Sequence, residues 1–211
     1  SFYQTSAENP VKVYINDFDN NGTIEQIFTR NIDGKDVPIH LRRELAGQIS
    51  AIKKQNLKFS EYATKSIQEL FSTEIVENSI VKEITTFKSL LALSDSKGNY
   101  EFKELPAEAQ FSSIHAIEHL ITKDENNYFL LAGNDYDLKP QFSRLDANKG
   151  LLLKVDNKGD MEIIPAEKSG FSIDGEVKYI RKISNKNGEI LILVAINNQE
   201  PKIFKFDEKA L

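Results

Sequence analysis

Asp95-Ser96-Lys97-Gly98-Asn99-Tyr100-Glu101 returns at an offset of 61 as Asp156-Asn157-Lys158-Gly159-Asp160-Met161-Glu162. Two further blocks recur in the same order at nearly the same spacing. Pro106-Ala107-Glu108 comes back as Pro165-Ala166-Glu167, and Leu131-Ala132-Gly133-Asn134 returns loosely as Val194-Ala195-Ile196-Asn197. Self-similarity at one period is the mark of a fold assembled from a repeated unit. Around these blocks the text reads as short strands at 84–93, 100–104, 113–121, 128–133, 150–155, 161–164, 176–183, 189–196 and 202–206. Gly- or Asn-bearing turns separate them. The Asn187-Gly188 pair is the strongest hairpin signal in the chain.

Upstream of the repeat, Val11-Lys12-Val13-Tyr14-Ile15 alternates apolar and polar residues and runs into the acidic turn Asp17-Phe18-Asp19-Asn20-Asn21-Gly22. A second extended run, 24–29, leaves that turn, and Asp33-Gly34 closes another. From Leu41 the period changes. Leu41, Leu45, Ile49 and Ile52 fall on one helical stripe, and Ala63, Ile67, Leu70 and Phe71 form another after a start near Ser60. The expectation is a helical hairpin inserted among strands.

A period near sixty with about four short strands per unit suggests blades of a β-propeller. With the helical insert set aside, about 170 residues remain, roughly three blades where closed propellers take 4–8. The expected fold class is therefore mainly β with a helical-hairpin insert, a partial β-propeller of about three blades of antiparallel strands. Residues 1–33 would be a blade-like hairpin, 34–75 the helical insert and 76–211 two further blade-like repeats. The whole would form one structural unit belonging to a larger propeller chain.

The 211 residues carry 27 Lys+Arg against 32 Asp+Glu, a net charge of −5, with 40% apolar and 28% charged residues. That balance fits a globular domain and argues against nucleic acid, whose binders present a basic face. No run reaches the roughly 18 apolar residues of a membrane span. The absence of cysteine removes thiolate catalysis, cysteine-ligated zinc and disulfides together. No signal peptide is visible, although a start at Ser1 without Met is compatible with the earlier removal of a leader.

Asp17, Asp19, Asn21, Thr23 and Glu25 stand at alternate positions of one loop, with Gly22 among them. Oxygen donors at alternate positions converge when a loop coils round a hard cation; the glycine permits the turn and Thr23 would offer its backbone carbonyl. An all-oxygen set favours Ca²⁺ over zinc or copper. The EF-hand pattern fails, because its twelfth position is Phe28 where a bidentate Glu is needed, and the flanks read as strands. The opposing interpretation is a solvated acidic turn that binds nothing. Asn21-Gly22-Thr23 is also a formal glycosylation sequon, discounted because a liganding Asn is not free to carry sugar. The second acidic stretch, 123–127, lacks the alternating pattern and reads as a plain turn.

The loop 17–25 resembles the calcium loop of FG-GAP/VCBS repeats, the integrin-type β-propeller blades. Arg43-Glu44-Leu45, Gln48, Tyr62-Ala63 and the run 67–71 resemble a helical insert in large FG-GAP/VCBS proteins of Bacteroidetes, related to the cartilage acidic protein group. Leu131-Ala132-Gly133-Asn134, Lys139-Pro140, Arg144-Leu145-Asp146-Ala147, the run 150–153, Gly170 and Asp174-Gly175-Glu176-Val177 are similar to the C-terminal blades of those proteins. The resemblance implies a C-terminal portion of an exported, cell-surface or extracellular protein, often a lipoprotein. It implies a calcium-bearing propeller that binds or scaffolds, and no known reaction. Glu25 stands where that family has Asp, and the stretch near Asp124 has lost the pattern, so one calcium site is expected.

Catalytic constellations are sparse. His115 and His119 share a strand face at four-residue spacing but lack a third ligand, and no nucleophilic serine has a recognisable His–Asp support. The best candidate ligand-binding rim is the polar loop Asn134, Asp135, Tyr136 and Asp137, followed by Lys139, Gln141 and Arg144. Aromatic and amide groups together suit a sugar or a peptide. The alternative function is a surface glycan-binding accessory protein, or a glycan hydrolase using residues 134–146 and the Asp135/Asp137 pair. The bland alternative has Arg144 and Asp146 merely fastening a long loop.

Overall fold

The computed structural model describes residues 5–122, 127–139 and 143–207. The chain divides into two compact units with the boundary between Phe87 and Lys88, where the sequence reading expects a single unit. The acidic stretch near Asp124 and the positions Pro140 and Gln141 lie outside the described residues.

The first unit begins with β1 (Val11–Asn16), β2 (Glu25–Ile32) and β3 (Lys35–Pro38), and β4 (Ile80–Ile84) completes its sheet. Spatial order is β3-β2-β1-β4, all antiparallel. Three hairpin-linked strands with a fourth returning beside the first make a Greek key. Asp33 and Gly34 both have positive φ (51° and 79°), and Ile32 pairs with Lys35, so the β2–β3 hairpin closes in two residues.

The long return from β3 to β4 is helical, but it is not the two-helix hairpin expected from the apolar stripes. Five short helices occupy it: α1 (Arg42–Gln48), α2 (Ala51–Gln55), α3 (Phe59–Ala63), α4 (Ile67–Leu70) and α5 (Thr73–Glu77). The physical reason is end-capping, which interrupts the periodicity. Glu44, Glu61 and Glu69 each reach back to accept the backbone N–H of Leu41, Lys58 and Ser66, at 3.0, 3.3 and 2.8 Å. Ser60, expected as a cap, lies inside α3, and Lys58 takes the cap position. The stripe residues Leu45, Ile49, Ile52, Ile67 and Leu70 nevertheless all reach one core with Tyr14 and Ile27 of the sheet. Burial pushes the Tyr62 hydroxyl up to about 12, and that hydroxyl donates to His40 O at 2.8 Å.

The second unit is built of three sheets. The first is the hairpin β5 (Leu90–Ser94) and β6 (Tyr100–Glu104); the second is the meander β7 (Ile114–Ile121), β8 (Asn127–Gly133), β9 (Leu151–Val155) and β10 (Met161–Ile164). The third is β11 (Val177–Ser184), β12 (Ile190–Ile196) and β13 (Lys202–Lys205). The sequence repeat is a structural repeat. Pro106 and Pro165 each head a short helical turn, 107–110 and α6 (Ala166–Ser169), that carries the chain from one sheet to the next. The β7/β8 and β11/β12 registers coincide at an offset of 63. Ala116 faces Ala132 as Tyr179 faces Ala195, and both ladders carry a bulge at the same place, 114/116 and 177/179.

Three hairpin turns share one device. Asp95 Oδ1 accepts Lys97 N–H and Asn99 N–H (2.8 and 3.0 Å), and Asp156 Oδ1 accepts Lys158 N–H and Asp160 N–H (both 2.8 Å). Asn185 Oδ1 accepts Asn187 N–H and Glu189 N–H (2.9 and 3.0 Å). The Asp95 and Asp156 carboxyls lie below their ordinary range, the first chiefly because Asn99 Nδ2 donates to Asp95 Oδ2 at 2.7 Å and the second chiefly through the Asp160 amide. Asn187-Gly188 therefore does not form a two-residue turn. Gly188 N–H donates to Asn185 O at 3.0 Å and Gly188 takes φ 77°, which makes a three-residue loop with a glycine bulge.

The central strands of the second sheet, β8 and β9, are buried on both faces, whereas β7 leaves Ile117 and Ile121 exposed on one. One face (Ala116, Leu120, Tyr128, Leu130, Leu152) meets Ile180, Ile192 and Val194 of the third sheet. The other (Leu131, Leu153, Val155) meets Leu91 and Leu105 around the first. At the end of β8 the backbone itself comes close. Asn134 N–H donates to Ser113 O at 2.9 Å, and a Cβ on Gly133 would lie 1.9 Å from that carbonyl oxygen. Gly133→Ala is therefore expected to destabilise the second unit by about 1–3 kcal/mol or more, since backbone must shift. Urea unfolding followed by circular dichroism checks this, and an unchanged midpoint would contradict the packing.

Candidate metal centre

The loop 17–24 joins β1 to β2, and Asn16 pairs with Glu25 at its mouth. Two residues fasten it to the helical layer. Phe18 is buried and its ring lies 4.7 Å from that of Phe71, while Asn16 Nδ2 donates to Ile75 O at 2.8 Å. With its base held by Phe18, the loop coils on itself. Asp17 Oδ1 and Oδ2 accept Asn21 N–H and Gly22 N–H at 3.0 and 2.7 Å, and Asn20 and Gly22 turn the backbone through positive φ (55° and 85°).

This coil brings Asp17, Asp19 and Glu25 together, with one carboxylate oxygen of each within 4.8 Å of the others. Among the described residues no other such group of His, Asp and Glu occurs. Glu25 is 5% exposed and its Oε2 accepts Phe18 N–H at 2.9 Å, so the side chain is directed into the loop. Asp19 Oδ1 is buried and has no hydrogen-bond partner. Carboxylate pairs at such separations repel by about 3–4 kcal/mol at an effective dielectric of 20. A buried carboxylate oxygen without a partner adds a desolvation cost. A hard divalent cation would relieve both, and the all-oxygen donor set fits one.

The remaining expected ligands are placed differently. Asn21 Oδ1 is turned onto Thr23 N–H at 2.7 Å, which shapes the loop, and Thr23 is exposed. Of the five expected positions, three carboxylates converge. Asn21 and Thr23 form the outer wall of the coil.

The expected rim at 134–146 is for the most part a fastening. Asn134 is 1% exposed; its Nδ2 donates to Asn148 O and Gly175 O (both 2.8 Å), and its Oδ1 accepts Asn148 N–H at 2.9 Å. Asp135 and Leu145 exchange backbone hydrogen bonds at 2.8 and 2.9 Å. Arg144 stacks over the Tyr136 ring at 4.8 Å, and Asp137 N–H donates to Asp135 Oδ1 at 3.2 Å. Asn134 is thus a buried clamp at the loop's base and not a rim residue, whereas Tyr136, Asp137 and Arg144 stand above it. His119 is likewise engaged: its ring stacks on Phe129 at 4.7 Å, and Nε2 lies 2.8 Å from Asn127 Oδ1.

Spacing and composition do not single out Glu176. It is 2% exposed; its Oε1 accepts Lys178 Nζ at 2.7 Å and Tyr136 N–H at 3.4 Å, and its Oε2 accepts Asn197 Nδ2 at 2.6 Å. The only available signal was an opposite charge two positions on, along a strand. Lys178 holds the Glu176 carboxyl below its usual range, against the opposing effect of burial, and is itself raised chiefly by Glu176. Compared with known protein families, with curated proteins and with solved structures, the chain finds no match.

A carboxyl depressed in the folded state contributes stability above its unfolded pKa, here 4.5, and that contribution is lost as pH falls through the folded value. Glu176→Gln is expected to flatten this part of the acid limb of the stability curve and to lower stability near neutrality. Urea midpoints taken across the acid range test this; parallel curves for the variant and wild type would remove Glu176 from the account.

Proposed function

We propose that the chain is a non-enzymatic, calcium-stabilised segment of a β-propeller that serves binding or assembly at a bacterial cell surface or in the extracellular space. The observation that carries this reading is Asp19: a buried, unpartnered carboxylate oxygen beside two further carboxylates in a coiled loop. Asp17, Asp19 and Glu25 would hold the ion, with Thr23 offering its carbonyl at the outer wall. The ion would cancel most of the local −3 charge and tie the β1–β2 hairpin shut.

Support for the propeller reading lies in the second unit. The β7/β8 ladder of the second sheet and the β11/β12 ladder of the third share one register and one bulge at an offset of 63, and the second sheet packs against the first and the third. The Greek-key order of the first unit's sheet differs from the simple meander of the second sheet. A binding role without chemistry accords with the engagement of His119, Asn134 and Glu176 in structural hydrogen bonds. The bound partner would be a protein or a glycan recognised by loops above the sheets, with Tyr136, Asp137 and Arg144 as the polar and aromatic group best placed for it.

The calcium reading is tested by melting the chain in chelator and in added Ca²⁺. At a hundredfold excess over Kd, binding contributes about 2.7 kcal/mol, a rise of several degrees in Tm for a chain of this size. Asp19→Ala should abolish the calcium response. A wild-type Tm indifferent to Ca²⁺, or a variant that keeps the full shift, would refute the site.

A further inference from the structure

The repeat in the second unit identifies which surfaces of a sheet are normally covered, and two such surfaces are bare. Positions on β11 and β12 correspond to positions on β7 and β8 at an offset of 63, and β13 aligns with β9 through the shared pairing of Leu193–Ile203 and Leu130–Leu152. On the second sheet, the face carrying Ala116, Leu120 and Leu152 is 4%, 1% and 4% exposed, because the third sheet lies on it. Its counterparts on the third sheet are Tyr179, Ile183 and Ile203, which are 63%, 40% and 61% exposed.

The same comparison applies at the opposite end of the stack. Leu151, Met161 and Ile163 of the second sheet pack against the first. At an offset of 61 their counterparts on the first sheet are Leu90, Tyr100 and Phe102, and the latter two are 61% and 64% exposed. The two aromatic rings stack at 6.5 Å and form a continuous apolar surface. One bare face is therefore of the kind that receives a following sheet, and the other of the kind that is laid onto a preceding one.

We propose that these faces are the two halves of one interface, and that the outer face of the third sheet receives the first sheet of a second copy of this chain, head to tail. The template is the stacking already present between the second and third sheets, which the new contact continues by one step. The charged groups beside these faces are already paired within the chain, Arg181 with Glu118, Lys205 with Glu189 and Lys88 with Glu104, so the apolar side chains carry the contact. Because the two halves differ, the contact is heterologous, and it propagates into a ring or a chain of subunits instead of stopping at a symmetric dimer. The inference rests on reading the second unit as consecutive repeats, and it is independent of the ion site, which belongs to the first unit.

Sedimentation equilibrium up to about 100 µM, where weak interfaces associate, provides the test. Wild type is expected to form dimers and larger species. One variant blocks the receiving face (Tyr179→Glu with Ile203→Glu) and another the laid-on face (Tyr100→Lys with Phe102→Lys). All four side chains are exposed, so both variants should keep the wild-type Tm; if either double variant loses it, the single substitutions replace it. Each variant alone should be monomeric, and an equimolar mixture of the two should form a one-to-one dimer and nothing larger, since one intact pair of faces remains. A monomeric wild type, a receiving-face variant that still self-associates, or a mixture that stays monomeric would overturn the proposal. Because the readout is mass and the ion is read by melting, a failure here leaves the calcium reading standing, and the reverse also holds.

Discussion

Burial of the two central strands of the second sheet, β8 and β9, on both faces is the constraint on which the second unit depends. Leu130 and Leu152 point to one side and Leu131 and Leu153 to the other, so β8 and β9 have no face left for water. A sheet of this kind is stable only between two neighbours. The hairpin β5–β6 and the meander β11–β13 supply them. The short helical turns headed by Pro106 and Pro165 carry the chain across at each step. Close packing also accounts for Gly133, which stands where the β8 backbone touches the Ser113 carbonyl and no side chain fits.

The first unit solves the same problem with different parts. Its sheet buries Tyr14 and Ile27 under five short helices, and the core made by Leu45, Ile49, Ile52 and Ile67 extends to Phe18 at the base of the acidic loop. That anchor is what turns a flexible polar turn into a fixed cluster of carboxylates. Phe18 ties the loop to the hydrophobic core, and the Asp17 carboxylate then organises the following amides. The concentrated negative charge is thus held in place by apolar burial a residue away.

The electrostatics of the two units follow one logic. Where a carboxylate is buried it is given a partner, as Glu176 is by Lys178 and Asn197 and Asp36 is by Lys12 and Tyr14. Asp19 is not a buried residue, yet its one buried oxygen, Oδ1, has no partner, and this departure is what points to a cation. The hairpin turns at Asp95, Asp156 and Asn185 show that an acidic or amide residue in a turn usually serves its own backbone. Asp17 and Glu25 accept backbone amides in the same way, but the 17–25 loop is distinguished by the convergence of three carboxylates, one of which, Asp19, keeps a buried oxygen without a partner.

Much of this fold was legible in the sequence. The strands of the second unit, the repeat that relates them and the coil of the 17–25 loop all follow from alternation and spacing, which are local properties of the chain. Other features depended on contacts between distant residues. Apolar stripes at 41–71 marked Leu45, Ile49, Ile52, Ile67 and Leu70 for the core, but Leu41 and Ala63 on the same stripes are exposed, and the stripes did not show that end-capping by Glu44, Glu61 and Glu69 would break two helices into five. Nor could spacing show that Asn134 is a clamp in place of a rim residue, because its partners, Asn148 and Gly175, lie 14 and 41 residues away. Alternation and spacing were enough for the strand pattern, the period and the acidic loop; which polar groups the fold consumes became visible in three dimensions, because burial and hydrogen-bond pairing are made by segments that the linear spacing does not bring together.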